Sequence, residues 1–150
     1  MPVELVNDAT PEVVEAINTL LPQLSSSAST LSEEEIDVFL SQDNVYLFMF
    51  RSEGTNEITG MLSLATFRIP TGLRAWIEDV VVSTAARGQG AGKALVDEAV
   101  AFAGKMGAKS VDLTSRPNRE SANRLYVRCG FDKRETNVYR YKEAQVIDSI

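Results

Sequence analysis

The 150-residue chain has no histidine and a single cysteine, Cys129. Without histidine, Ser-His-Asp and Cys-His nucleophilic sites are excluded. Histidine-containing zinc sites fall with them, and one thiolate cannot build an all-cysteine site, so no metal is expected. Any general base must be a carboxylate, a lysine, a tyrosine or a bound water. One cysteine allows no intrachain disulfide, which fits a reducing compartment, and a cytoplasmic location is expected. No N-terminal basic-then-apolar stretch suggests a signal peptide. No apolar run approaches the roughly 20 residues that span a bilayer, so no membrane partner is expected. The net charge of −6 argues against a nucleic-acid partner.

What is present is ordinary for a globular protein: 44% hydrophobic and 24% charged residues. The length fits one domain over residues 1–150, with enough chain to bury a core unaided. The charge is unevenly spread. From Met1 to Ala65 there are eleven acids and one base, Arg51; from Arg116 to Lys142 there are eight bases and three acids. Such a split suggests two ligands of opposite sign, or simply solvated helix faces of either sign.

Val3 to Val6 reads as a first strand. Thr10-Pro11-Glu12 opens a helix that Pro22 should stop near Leu21. Ser32 and Glu35 form a capping-box pattern for a second helix to about Leu40. Val45–Phe50 and Ile58–Phe67 read as a hairpin around Glu53-Gly54-Thr55-Asn56. Leu73–Val82 is a third long strand, apolar on both faces towards its end and so expected to be central in the sheet. Residues 88–106 form a helix with Leu95, Ala99, Phe102, Ala103 and Met106 on one face and Gly107 just beyond it. A short strand follows over Lys109–Thr114. The next helix is Asn118–Arg128, with Ala122, Leu125, Tyr126 and Cys129 on its apolar side. One or two closing strands are expected between Phe131 and Lys142, then a tail. The order is a mixed α/β (α+β) domain with helices packed on a sheet.

The most informative segment is Arg87-Gly88-Gln89-Gly90-Ala91-Gly92-Lys93, between an apolar strand and a helix. Glycine allows close backbone approach, and a helix start offers unpaired N–H groups and partial positive charge. Together they suit a pyrophosphate. A Walker loop is excluded because Arg87 replaces its first glycine and Ala94 follows Lys93. A Rossmann fingerprint is excluded because Lys93 stands at its third glycine.

Arg-x-x-Gly-x-Gly after an apolar strand resembles the acetyl-CoA signature of the GNAT family, the GCN5-related N-acetyltransferases. Ile77-Glu78-Asp79-Val80-Val81-Val82 is similar to that family's fourth strand. Ala122-Asn123-Arg124-Leu125-Tyr126-Val127-Arg128-Cys129-Gly130-Phe131 resembles its Ala-x-x-Leu-Tyr-x-x-x-Gly-Phe motif, and the ordered set covers about residues 45–142. The resemblance implies a mostly antiparallel mixed sheet, flanked by helices and splayed between its fourth and fifth strands. It implies acetyl-CoA as donor, with pantetheine on the backbone of Val80, Val81 and Val82 and pyrophosphate on the amides of Arg87, Gly88, Gln89, Gly90, Ala91, Gly92 and Lys93. One position departs from the pattern: Arg119 stands where many relatives carry a cofactor-binding asparagine. Either Asn118 or Asn123 substitutes, or Arg119 reaches a phosphate.

The implied chemistry is transfer of acetyl to a primary amine of a small molecule or peptide. Glu78 is the candidate base, direct or through water, because a protonated amine cannot attack a thioester. In a regular strand Glu78 and Asp79 face opposite sides, so one of the two should face the substrate. Tyr126 is the candidate acid for the leaving thiolate, although periodicity alone would place it in the core. Cys129 is expected to be inert, Trp76 to line the acceptor pocket or pack, and Glu33-Glu34-Glu35 to be a solvated first turn. The acidic front favours a cationic acceptor. A non-catalytic acyl-CoA sensor, a nucleotide-binding protein and longer acyl donors stay open, as does a homodimer.

Overall fold

The computed structural model describes residues 2–142; the tail expected after Lys142 lies outside them. Five strands form one sheet in the order β1-β2-β3-β4-β5: Val3–Val6, Val45–Arg51, Ile58–Ile69, Gly72–Val82 and Ser110–Asp112. The first four are antiparallel neighbours and β5 runs parallel to β4. Four helices pack on it: α1 Pro11–Leu24, α2 Glu33–Leu40, α3 Ala91–Lys105 and α4 Glu120–Arg128.

Strand alternation divides the core in two. Phe48, Phe50, Leu62, Leu64, Ala75 and Ile77 pack with Leu95, Ala99, Ala103 and Tyr126, so α3 and α4 cover one face. Leu47, Met49 and Met61 pack with Ile17, Leu20 and Ile36, so α1 and α2 cover the other. Arg51 closes one corner: its guanidinium meets Glu12 at 2.7 Å and Glu4 at 3.2 Å. These bonds raise the Arg51 pKa and lower that of Glu12.

Several sequence expectations change. α1 continues through Pro22 to Leu24. Proline costs the helix one N–H bond, and in the last turn only one bond is lost before the helix ends at Ser25, whose N–H reaches the Leu21 carbonyl at 3.0 Å. α3 starts at Ala91 rather than at residue 88, and α4 at Glu120 rather than at Asn118. β4 is internal, but the middle strand is β3.

The expected closing strands do not form among the described residues. Phe131 packs against the α3–α4 core, then Val138, Tyr139 and Tyr141 are 71%, 88% and 81% exposed. Strand propensity needs a partner edge, and the three-residue β5 offers too little ladder to recruit one.

Candidate functional site

Val82 ends β4, and a single 3-10 turn over Thr84–Ala86 follows, with the Ser83 hydroxyl accepting from the Ala85 N–H. Gly88 and Gly90 have φ of +85° and +71°, and a Cβ at either would meet no atom within 4 Å. Both glycines are therefore required by the backbone path, and the space above them is open. Gly90 is the N-cap of α3 and no side chain caps that end. α4, whose N-cap is Arg119, likewise has no side-chain cap, whereas the helices on the other face of the sheet differ. Thr10 caps α1, and a complete Ser32–Glu35 capping box closes α2. The first amides of α3 therefore have no side-chain acceptor among the described residues, an arrangement that suits an anion.

Gly92 serves a different purpose. A Cβ there would lie 2.9 Å from Leu125 Cδ2 and 3.9 Å from Val82 Cγ2. Its missing side chain lets α4 close onto the α3 start and the end of β4. Lys93 Nζ is 2.6 Å from Asp97 one turn on, so part of its charge is already answered. That bond raises the Lys93 pKa. Arg87 and Gln89 are exposed.

β4 carries the second feature. β5 pairs with it only at Arg74, Ala75 and Trp76. From Ile77 to Val82 the edge of β4 turned away from β3 has no strand partner among the described residues. On the β3 side the register slips: Met61 faces Val81, whereas Ser63 faces Glu78. β4 thus holds one extra residue, and Asp79 takes a left-handed φ of +50°. This bulge reverses side-chain parity. Ile77 belongs to the α3 face, and Val81 to the α1–α2 face.

The bulge overturns the opposite-faces argument for the two carboxylates. Glu78 is the cross-strand partner of Ser63, and Ser63 and Asp79 border the same cavity on the α1–α2 side. Glu78 is exposed, and Trp76 Nε1 donates to its Oε2 at 2.6 Å. Asp79 stands at the cavity mouth, open to solvent on one side. Desolvation, then the neighbouring Glu78 charge, pushes its carboxyl above the usual aspartate value.

The cavity is about 120 Å³ and is otherwise walled by Ile17, Leu21, Leu31, Phe39, Leu47 and Met61. Its loop wall is held in place: Asn18 donates to the Leu31 carbonyl at 2.9 Å and accepts from the Leu31 N–H at 2.8 Å. Gln23 Oε1 accepts from the Thr84 N–H at 3.3 Å, tying α1 to the loop after β4.

Tyr126 is buried in the α3–α4 core beside Phe131, ring centroids 6.0 Å apart. Desolvation raises its pKa and keeps the phenol protonated. Cys129 packs half-buried against the same core, and desolvation raises its thiol as well, which agrees with an inert residue. Asn123 donates to the Arg116 carbonyl at 3.0 Å, fixing the turn before α4, while Asn118 and Arg119 are exposed. Glu35 completes the α2 cap, and Glu33 and Glu34 are exposed in its first turn.

Sequence reasoning did not place two groups. Asp79 was weighed only as the opposite-facing neighbour of Glu78, because nothing in Glu78-Asp79-Val80 announces a bulge; the adjacency of two acids inside an apolar strand was the available signal. The Ser115 hydroxyl, in the segment after β5, is buried with no hydrogen-bond partner among the described residues. A lone serine in a polar loop gives no such signal.

A model of the acetyltransferase (GNAT) family matches residues 13–131. No curated protein matches the chain. Among solved structures, an aminoglycoside acetyltransferase from an uncultured soil metagenomic sample superposes with a TM-score of 0.80 at 22% identity, covering 93% of each chain. An acetyltransferase from Trypanosoma brucei gives 0.74 at 27% identity, covering 93% of this chain and 99% of its own. Glucosamine-6-phosphate N-acetyltransferase from Arabidopsis thaliana gives 0.75 at 21% identity, covering 95% and 100%. The strand-to-glycine turn, the uncapped α3 and the partly unpaired β4 therefore belong to a member of the GNAT acetyltransferase family.

Proposed function

We propose that the chain transfers acetyl from acetyl-CoA directly to a primary amine. The observation that carries this reading is the pairing of an uncapped helix start with an unpaired stretch of strand. The amides at the beginning of α3 suit the pyrophosphate. The free backbone of Val80 to Val82 suits the amide groups of pantetheine, as an added strand would. Arg87 and Lys93 supply positive charge from the two ends of the turn, and Asn118 and Arg119 lie exposed before α4 for the remaining phosphate or adenosine contacts.

The residues then divide the work. Glu78 takes a proton from the ammonium, directly or through one water; its bond from Trp76 holds the carboxylate in place. The freed nitrogen forms a C–N bond to the thioester carbonyl carbon, the C–S bond breaks, and the second nitrogen proton goes to water. Tyr126 gives its proton to the departing thiolate, and water restores the phenol. The resemblance of the Tyr126 helix to the family motif supports that part, and burial, which raises the phenol's pKa, means the transfer depends on close placement of the sulfur. The expected location is the cytoplasm, where acetyl-CoA and a reduced Cys129 coexist.

The test compares ligands first and turnover second. Acetyl-CoA should raise the thermal midpoint while ATP and NAD do not; a ligand at 100 times its Kd stabilises by about 2.7 kcal/mol. CoA release should then require an added amine. Stabilisation by acetyl-CoA with no amine-dependent release, across a broad amine panel, would instead identify a non-catalytic acyl-CoA-binding module.

A further inference from the structure

The acceptor side of the molecule was silent in the sequence, but its cavity has a readable composition. Six of its eight lining residues are apolar, and the only polar ones are Ser63 and Asp79, both at the β3–β4 bulge. An apolar cavity of roughly 150 Å³ is known to take up benzene; this one, at about 120 Å³, suits a group of four to six carbons. Asp79 lies within the Ile77–Val82 stretch of β4 that has no strand partner on its outer edge among the described residues, so the polar end of the cavity opens at that free edge.

We propose that the acceptor is a primary amine carried on a compact hydrocarbon group, its ammonium at Asp79 and Ser63 and its apolar part between Leu21, Phe39, Leu47 and Met61. The proposal rests on the acetyltransferase reading and narrows its substrate class. A polyhydroxylated amino sugar would bring hydroxyls against walls that have no partners for them. A polyamine would push a second ammonium into hydrocarbon with no second carboxylate on the lining. None of the eleven acids of the front half lines this cavity, and three of them are engaged elsewhere: Glu12 and Glu4 are bound to Arg51, and Glu35 closes the α2 cap. The amines named in the titles of similar structures, aminoglycoside and glucosamine-6-phosphate, therefore do not fit this cavity's lining.

Asp79 facing the amine also explains its position. A bulge places this side chain on the same side as Glu78, so one carboxylate holds the ammonium while its neighbour removes the proton. The charged groups near Asp79 among the described residues are Glu78 on its own strand and no base; the facing residues of α1, α2, β2 and β3 at the cavity are uncharged.

The test uses the full chain with acetyl-CoA and an amine panel: ethylamine to hexylamine, isopentylamine, benzylamine, spermidine, an aminoglycoside and glucosamine-6-phosphate. CoA release is measured, with calorimetric binding of each amine to the CoA-saturated protein as a second readout. Along the linear series kcat/KM should rise by about fourfold per methylene and level off once the cavity is filled. Leu21→Trp should abolish binding of isopentylamine and benzylamine while acetyl-CoA binding persists. Phe39→Ala, which enlarges the same space, should move the optimum to a longer amine, and so guards against a misfolded tryptophan variant. Asp79→Asn should raise the amine KM at least tenfold with a smaller effect on kcat. Preferred turnover of spermidine or the sugars, or apolar-amine binding indifferent to Leu21→Trp and Phe39→Ala, overturns the proposal while leaving acetyl transfer intact. If no amine is acetylated but apolar amines still bind and lose binding in Leu21→Trp, the acetyltransferase reading fails and the amine site stands.

Discussion

The two faces of the sheet are built from similar material to opposite ends. On the α3–α4 face, alanines and one glycine bring helices close to the sheet: Ala91, Ala99 and Ala103 are buried, and Gly92 admits Leu125. What is left unfilled there is backbone, namely the α3 amides and the β4 edge. On the α1–α2 face the helix starts are closed by Thr10 and Ser32, and what is left unfilled is a side-chain cavity. A backbone site suits a ligand that can be shared across a family, because main-chain groups are the same in any sequence. A side-chain cavity takes the shape and polarity of the particular residues around it, so it is where members can differ.

Breaking the donor face should have the largest effect. Tyr126→Phe should lower kcat by about 100-fold or more, the scale of general acid catalysis, while thermal stabilisation by acetyl-CoA is kept. A rate within threefold of the parent would remove Tyr126 from the chemistry and return it to the core. Next comes Gly90→Val. The new side chain must hold a φ near +71°, at a cost of about 1–2 kcal/mol. The denaturant midpoint should fall accordingly and acetyl-CoA affinity with it, while the amine KM at saturating acetyl-CoA stays put. The smallest effect sharpens the comparison from the electrostatic side. Asp97→Asn frees Lys93 from its partner one turn away. Acetyl-CoA affinity at low salt should improve a few-fold and the gain should vanish near 1 M salt, where the Debye length is about 3 Å. A gain that survives high salt would show that the Lys93 charge is not its source.

Much of the donor face was legible in the chain itself. The glycine spacing, the apolar strand before it and the Tyr126 helix after it are local patterns, and local patterns survive in one dimension. Even there, three similar glycines hid two different roles. Gly88 and Gly90 answer to backbone angle, whereas Gly92 answers to a neighbour 33 residues away. The capping box at Ser32 and Glu35 was also readable, since its partners are three residues apart. The closing strands were misjudged for the opposite reason: Val138-Tyr139-Arg140-Tyr141 has strand-like residues, but a strand exists only when an edge accepts it.

The cavity was hidden because its lining comes from α1, the loop at Leu31, α2 and three strands, spread from Ile17 to Asp79. No short-range pattern encodes such a set. The bulge at Asp79 was hidden too, since one extra residue in a strand is visible only against its partner's register. By itself, then, the sequence determined the glycine turn, the caps of α1 and α2 and the chemistry available without histidine, because these depend on residues close in the chain. Tertiary structure alone decided on which side Asp79 stands, what Gly92 accommodates and how large the cavity beneath α1 and α2 is, because each is a relation between segments that only folding brings together.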